Sequence, residues 1–251
     1  MNTIISWNVA GLKARYKKHK NMIQNLTKDN PVAICFQETK LQDIYEQEYK
    51  NIYNDYVPYF SSSTIKKGYS GVVIYSHKDK KVLSVDTKVK LNEFKNEGRM
   101  MCLEYEDFYL INTYVPNSGS GRLKERIEWD NFMIDYIRKL KKCVVWTGDF
   151  NCAPCKYRDV WKTTIQCAGC TPEERNSFKN IKLTCDLIDS YRSLYPEKNE
   201  FTYWSFKRKA REFNKGMRLD YFLISKEFKY KDSIIMGDVK GSDHCPIKLI
   251  F

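Results

Sequence analysis

The sequence predicts an α/β protein in which a mixed β-sheet packs face to face with another and is flanked by helices. Three observations carry this. Short apolar runs ending in polar residues alternate with longer segments of helical period, the pattern of an α/β chain. Several short strand-like runs follow one another with turn residues between them, so these neighbours pair antiparallel rather than across helical crossovers. No Pro/Gly/Ser-rich linker, low-complexity tract or fixed-period repeat interrupts the chain, so residues 1–251 are expected to form a single domain.

The elements follow in chain order. Ile4–Trp7 is a short apolar run and reads as a strand, then Lys18–Lys28 has helical period. Val32–Phe36 is the longest unbroken apolar run and reads as a buried strand, followed by a helix over Gln42–Asn51. Gly71–Tyr75, Met100–Tyr105 and Tyr109–Tyr114 are short apolar runs that read as strands. A helix over Leu123–Leu140 leads to the strand Val144–Thr147. The helix over Pro172–Asn180 has the strongest start signal: Thr171 suits the N-cap, Pro172 the first helical position, and two glutamates fall in the first turn. Leu219–Ile224 and Ile247–Phe251 complete the strands.

The chain carries 43 Lys+Arg against 31 Asp+Glu, a formal charge of +12, which favours a polyanionic partner such as nucleic acid or an anionic membrane over an acidic protein surface. No apolar run is long enough for a membrane span. Residues 1–8 lack a basic segment, a long apolar stretch and a small-residue cleavage site, so secretion is not expected and the nucleus or cytoplasm is. Lys13, Arg15, Lys17, Lys18 and Lys20 form one basic cluster. Lys207, Arg208, Lys209, Arg211, Lys215 and Arg218 form another beside Tyr203, Trp204 and Phe206. Cations interleaved with aromatics suit a phosphate backbone with stacked bases, although a solvated charged face has the same composition. A third run, Arg138–Lys142, sits where cations complement a helix C-terminus and needs no ligand.

Nine cysteines do not suit a closed disulfide framework. Cys152, Cys155, Cys167 and Cys170 form two C-x-x-C pairs that could close a tetrahedral Zn²⁺ site, with unligated thiols as the alternative.

Polar groups follow apolar strands at several places. Asn8 follows Ile4–Trp7, Glu38 follows Val32–Phe36, Asp149 and Asn151 follow Val144–Thr147, and Asp243-His244 precedes the last strand. Strand ends are where loops gather a site. An oxygen-rich set suits Mg²⁺, with Mn²⁺ as a substitute, and clustered carboxylates require a cation to offset their repulsion. A phosphodiester fits as substrate, with a carboxylate to deprotonate water. Singly, each residue has an ordinary reading: Asn8 closes a turn, Glu38 is a surface charge, and Asp220 pairs with Arg218. Their joint occurrence points to chemistry.

Ser6-Trp7-Asn8-Val9, Gln37-Glu38-Thr39-Lys40, Gly68-Tyr69-Ser70-Gly71, Glu97-Gly98-Arg99, Tyr114-Val115-Pro116-Asn117, Gly148-Asp149-Phe150-Asn151, Arg218-Leu219-Asp220-Tyr221 and Gly241-Ser242-Asp243-His244-Cys245-Pro246 occur in this order. Together they resemble the exonuclease III / apurinic-apyrimidinic (AP) endonuclease family of the endonuclease/exonuclease/phosphatase superfamily. The segments around Ala168–Arg175 and Gly216–Phe222 resemble the AP endonuclease branch in particular.

The resemblance implies a four-layer α/β sandwich and Mg²⁺-dependent hydrolysis of DNA 5′ to an abasic site, leaving a 3′-hydroxyl. Exonuclease or phosphodiesterase action at 3′ ends is implied as a companion activity, on double-stranded DNA with abasic or 3′-blocked sites and with the protein a monomer. By resemblance, Glu38 and Asp243 are metal carboxylates with Asn8, Asp149, Asn151 and His244 around the ion. Asp149 activates water, Asn151 orients it, His244 contacts the scissile phosphate with Asp220 orienting its ring, and Tyr114 and Asn117 add phosphate contacts. Gly71, Tyr69, Arg99, Arg122, Arg126, Lys207 and Arg211 are expected along the DNA track, and Tyr203, Met217 and Leu219 around an abasic sugar. The chain departs from the family at Ala10, where an outer metal contact is missing, at Ser120 and at Met217, where relatives carry Arg and Trp. The four-cysteine loop is another departure, either remodelled around a metal or a disulfide among Cys152, Cys155, Cys167 and Cys170 or simply divergent. A preference for abasic sites is expected to persist, with a different balance toward 3′-end trimming. A retrotransposon-type nicking endonuclease, a phosphatase acting on lipid or inositol phosphates, and a non-catalytic nucleic-acid-binding relative are the alternatives; the retained carboxylates argue against the last.

Overall fold

The structure is a computed structural model that describes every residue except Ser120 and Gln166, together with all side chains but those two and that of Arg208. The departure at Ser120 therefore lies outside the described residues. In chain order the elements are β1 (Thr3–Asn8), α1 (Leu12–Gln24), β2 (Ala33–Gln37), β3 (Tyr56–Ser61), β4 (Val72–His77), β5 (Ser84–Asp86), β6 (Met100–Glu104) and β7 (Phe108–Tyr114). They continue with α2 (Leu123–Ile137), β8 (Cys143–Asp149), α3 (Pro172–Thr184), β9 (Leu187–Asp189), α4 (Ser190–Leu194), β10 (Asp220–Ser225), β11 (Asp232–Ile235) and β12 (Ile247–Ile250).

Two six-stranded sheets result, ordered β11-β12-β1-β2-β4-β3 and β5-β6-β7-β8-β10-β9. Each is mixed: β1–β2 and β7–β8 are parallel, and the other pairings are antiparallel. Alternation along the strands divides the core. Ile4, Cys35 and Ile74 of the first sheet meet Leu103, Leu110, Val145 and Phe222 of the second in a cluster between the sheets. Ile5, Trp7, Ile34 and Phe36 point the other way, against Leu12 and Ile23 of α1. On the far face, Trp146 and Tyr221 pack against Trp129 and Met133 of α2 and Phe178 and Ile181 of α3. The expected helix–sheet–sheet–helix layering is thus formed.

A buried amide pair crosses between the sheets. Gln37 Nε2 donates to Asn112 Oδ1 at 2.7 Å and to Ser6 Oγ at 2.9 Å, and Asn112 Nδ2 donates to the carbonyls of Phe36 and Val73. Each large apolar side chain buried around it contributes about 1.5–3 kcal/mol, against roughly 1 kcal/mol net for such a hydrogen bond. The apolar faces therefore hold the sheets together, and the amides fix how they align.

Thr171 caps α3 as expected, with a reciprocal Glu174 capping box. Several assignments differ. The first helix begins at Leu12, earlier than Lys18, and gives way at Asn25 to a 3₁₀ turn. The segment expected as a helix over Gln42–Asn51 is 3₁₀ over Asp43–Tyr49, where Tyr49 is the only fully buried residue. With so little apolar face to dock, tertiary packing does not enforce α geometry. Tyr56–Ser61, Ser84–Asp86, Leu187–Asp189 and Asp232–Ile235 are strands that the apolar pattern did not reveal; each lies at the edge of its sheet. Among the described residues no helix is long and apolar enough to cross a membrane.

Candidate active site

Register places the site at one end of the two sheets. In the second sheet Asp149 closes β8 directly between Tyr114 at the end of β7 and Asp220 at the start of β10. In the first, Asn8 closes β1 opposite Gln37, so Glu38 emerges one residue beyond β2. His244 precedes β12, beside β1. Strands from two sheets thus deliver these side chains to one cleft, although the chain separates them by up to more than two hundred residues.

The central group is Asp149, Asp220 and His244, all buried, with ligating atoms within 4.8 Å of one another. His244 Nδ1 lies 2.7 Å from Asp220 Oδ2, and His244 Nε2 lies 3.7 Å from Asp149 Oδ2. Burial opposes a charge on the ring, but Asp220 and then Asp149 outweigh it and raise the His244 pKa to about 10, so the imidazolium persists at neutral pH. Asn8 bridges to the next carboxylate: its Nδ2 donates to Asp149 Oδ2 at 2.9 Å and to Glu38 Oε1 at 3.0 Å. Burial works against Glu38 ionising, yet Lys40, with Nζ 2.9 Å away, and the Asn8 hydrogen bond leave its pKa below the usual value. Glu38 and Asp243 stand outside the tight group, the Asn8 amide lying between Glu38 and Asp149. Asp243 is half-buried, and its Oδ1 accepts from Ser242 Oγ at 3.2 Å.

Asn151 lies at the floor. Its backbone N–H donates to Asp149 Oδ1 at 2.9 Å, its amide donates to the Val115 carbonyl, and its Oδ1 accepts from Asn117 at 3.2 Å. Tyr114 is held well above its ordinary pKa by burial first and by the Glu38 and Asp149 charges next, so the phenol remains a donor. Backbone strain concentrates here: Ala10, Glu38, Lys40, Ser70 and Asn151 all have φ between 46° and 53°. Hydrogen bonds over-determine these turns, including Gly11 N–H to Glu38 O, Thr39 N–H to Gly71 O and Lys40 N–H to Ser70 O.

The expected DNA-track residues divide. Asn117 and Lys207 are exposed, while Tyr69 and Arg122 are half-buried. Arg126 is not on the surface. It is fully buried, paired with Asp130 one helical turn on, and bonded to the Phe150 carbonyl. Arg99 is buried too, paired with Glu97 and donating to the Tyr69 hydroxyl and the Tyr114 carbonyl. Arg211 spends its guanidinium on the carbonyls of Ser242, Gly237 and Val239 and stacks on Trp204. These three arginines brace the loops that carry the site; Arg99 and Arg126 are withdrawn from the surface, while Arg211 stays half-buried. Gly71 is buried at φ 88°, and a Cβ there would come within 2.3 Å of Thr39 Oγ1, so it braces the Glu38 turn. Removing the Arg126 guanidinium strands a buried carboxylate, and Arg126→Met is expected to cost about 3–5 kcal/mol of stability by urea unfolding. A DNA-contact residue would instead leave stability unchanged and weaken binding.

Tyr203, Met217 and Leu219 do gather, with Ala153, Val160, Ile165 and Cys170, in an apolar cluster, and the Tyr203 ring lies 4.9 Å from that of His244. The four-cysteine zinc site is not formed. Cys152 is buried in the core beneath α3, all nine thiols are unpaired, and among the described residues no group of three or more metal-ligating side chains contains a cysteine. Arg218 does not pair with Asp220 either; it binds Asp159 and Asp189. Lys40, Thr202 and Ser242 are contributors not singled out from sequence. Thr202 Oγ1 accepts from the N–H groups of Leu219 and Asp220, and Ser242 Oγ donates to the Asn8 carbonyl. Their positions beside Glu38 and His244 in the quoted motifs were the signal for Lys40 and Ser242; nothing local marks Thr202.

The sequence profile of the Endonuclease/Exonuclease/phosphatase family matches residues 5–244. The chain is 35% identical over 258 residues to an exodeoxyribonuclease of Bacillus subtilis, covering 98% of each protein. It is 38% identical over 265 residues to a DNA-(apurinic or apyrimidinic site) endonuclease of Dictyostelium discoideum, covering 98% of this chain and 70% of that one. Its fold matches the crystal structure of the AP endonuclease LMAP from Leishmania major with a TM-score of 0.88 at 29% identity, covering 99% of this chain and 86% of that one. The strand-end cluster thus sits in a chain that belongs to the Endonuclease/Exonuclease/phosphatase family, in its exonuclease III / AP endonuclease branch.

Proposed function

We propose that the protein is a Mg²⁺-dependent DNA repair endonuclease that hydrolyses the phosphodiester 5′ to an abasic site and leaves a 3′-hydroxyl, with 3′-end trimming as a companion activity. The observation that carries this reading is the His244 ring clamped between Asp220 and Asp149, with Asn8 linking Asp149 to Glu38. Residues 1–251 act as one unit in this reading, because both sheets supply the cluster; a monomer is part of the proposal.

The donor set fits a hard divalent ion. It consists of carboxylate and amide oxygens with no thiol, and Asp220 Oδ1 is buried with no hydrogen-bond partner among the described residues. Glu38 and Asp243 would hold the ion, with Asn8 beside them. Asp149, Asn151 and His244 would complete its surroundings, Asp149 and His244 having ligating atoms within 4.8 Å of each other. When bound, Mg²⁺ supplies neutralisation of charge on the non-bridging phosphate oxygens.

The chain's own residues do the rest. Asp149 accepts the proton of the attacking water, which the Asn151 amide orients. His244, its Nδ1 proton engaged by Asp220, presents Nε2–H to the phosphate. The Tyr114 phenol adds a second donor, and these hydrogen bonds strengthen as charge builds on phosphorus oxygens. Tyr203, Met217 and Leu219 offer an apolar wall for a sugar that lacks its base. The excess basic charge draws the duplex in.

The reading is tested with an oligonucleotide duplex carrying one abasic-site analogue, compared with the intact duplex, in Mg²⁺ or EDTA. Cleavage immediately 5′ to the analogue is expected, abolished by EDTA and reduced by about 10²–10³-fold in Glu38→Gln. Equal cutting of both duplexes would remove the abasic preference. Tight binding without metal-dependent cleavage would favour a binding module.

A further inference from the structure

Three sulfur atoms neighbour one another at the apolar cluster beside Tyr203. Cys170 Sγ lies 3.7 Å from Cys167 Sγ and 3.8 Å from Met217 Sδ. We propose that Cys167, Cys170 and Met217 form a binding site for a soft, thiophilic monovalent cation of the Cu(I) type.

Spacing and chemistry agree. Two thiols and a thioether are the ligand types that select Cu(I) over hard ions. A first-row ion bonded to sulfur at ~2.3 Å in a trigonal plane separates its sulfurs by about 4.0 Å, close to what the two contacts already show.

The backbone holds the three atoms in place. The Cys170 N–H donates to the Cys167 carbonyl at 3.0 Å, a turn that puts both thiols on one side. Gly169 N–H is anchored by both Glu174 carboxylate oxygens, which ties the turn to the first turn of α3. Met217 exchanges two backbone hydrogen bonds of 2.9 Å with Tyr203. Access is open as well: a cavity of about 490 Å³ is lined by Cys167, Cys170, Thr171, Pro172 and Glu173. Cys167 is exposed, Met217 half-buried and Cys170 buried, so an ion would enter past Cys167.

The charges also balance. Binding displaces one proton from each thiol, giving two thiolates, one thioether and one cation with a net charge of −1. Nearby Arg175 offsets this charge, working against Glu174 in the first turn of α3. Neither Cys152 nor Cys155 takes part, so the site is unrelated to a four-thiolate arrangement.

The binding itself is independent of the nuclease reading. One consequence rests on that reading: an ion here would lie in the wall shared with Met217 and Leu219, so it would slow cleavage without touching Glu38 or Asp149.

The test is transfer of Cu(I) from a chromogenic chelator to the fully reduced, intact protein without oxygen, after a thiol count confirms nine free cysteines. One equivalent is expected to move to the protein. Transfer should be lost in Cys167→Ser and in Cys170→Ser, and its midpoint should shift toward the chelator in Met217→Leu. Cys155→Ser and Cys185→Ser should match the wild type. Cys167 is exposed, so its variant carries the test if Cys170→Ser fails to fold. No transfer to the wild type, undiminished transfer to Cys167→Ser, or a Cys167–Cys170 disulfide that resists reductant would each overturn the proposal. Cleavage measured on the same samples separates the two readings: stoichiometric binding without inhibition retains the ion site and removes only its consequence.

Discussion

Asp149→Asn is expected to lower the single-turnover rate of strand cleavage by about a thousandfold while leaving duplex binding unchanged or slightly tighter. Asp149 is the residue on which both sheets converge: it accepts from Asn8 and from the Asn151 backbone, and faces the free nitrogen of His244. Burial pushes its pKa up to about 7, with Asp220 and Glu38 adding to the rise and the His244 charge pulling against it. That is the range in which a carboxylate both holds its charge and takes a proton efficiently. An amide of the same shape cannot take a proton. It also removes a negative charge from a site that must receive an anionic phosphate, which is why binding should not suffer. Single-turnover rates with parallel anisotropy measurements check both halves. A rate loss below about tenfold would remove Asp149 from the role of base.

Arg218→Met should cost about 3–5 kcal/mol of stability. Arg218 is fully buried. Its Nε binds Asp159 at 2.8 Å, its terminal nitrogens bind Asp189 at 2.7 and 3.0 Å, and Asp159 is shared with Arg192. The network joins the turn before Trp161, the edge strand β9 and the lead into Asp220, so its loss strips Asp189 of its ion-pair partner and leaves Asp159 with Arg192 alone. Burial opposes ionisation of Asp159, but Arg218 and then Arg192 outweigh it and hold its pKa below 3.8. A depressed native pKa contributes stability that is present above the unfolded value and is lost as pH falls through the native one. In the variant, burial without Arg218 makes the charged carboxylate a cost, which acid relieves. The stability gap between wild type and variant should therefore narrow from neutral pH to about pH 4 in urea melts. A constant gap, or no gap, would contradict this view of the network.

Much of this was legible in the sequence, and the reasons for the rest are physical. Central strands such as Val32–Phe36 and Tyr109–Tyr114 are buried on both faces, so their apolar runs are continuous and visible. Edge strands are not so constrained: β3 contains Pro58 and is largely half-buried, and β9 and β11 are only 3 and 4 residues long. Asn8, Glu38, Asp149, Asn151 and His244 could be found because each directly follows or precedes an apolar strand, where register then brings them together. The buried arginines could not. Arg126 and Asp130, four residues apart, have the spacing of an ordinary exposed helix pair, and only the packing of Trp129 and Phe150 around them makes them interior. The cysteines misled for a related reason. C-x-x-C spacing records nearness along the chain, whereas Cys152 points into the core and Cys167 and Cys170 meet Met217, distant in sequence.

The central claim is that this cluster directs water onto phosphorus. The most direct measurement is abasic-duplex cleavage in water enriched in heavy oxygen, followed by mass spectrometry of both fragments. One heavy oxygen in the 5′-phosphate of the downstream fragment, beside an upstream fragment ending in an unlabelled 3′-hydroxyl, is the predicted result. An unlabelled phosphate with an unsaturated sugar remnant on the upstream 3′ end would show elimination at the sugar instead of hydrolysis, and would contradict it.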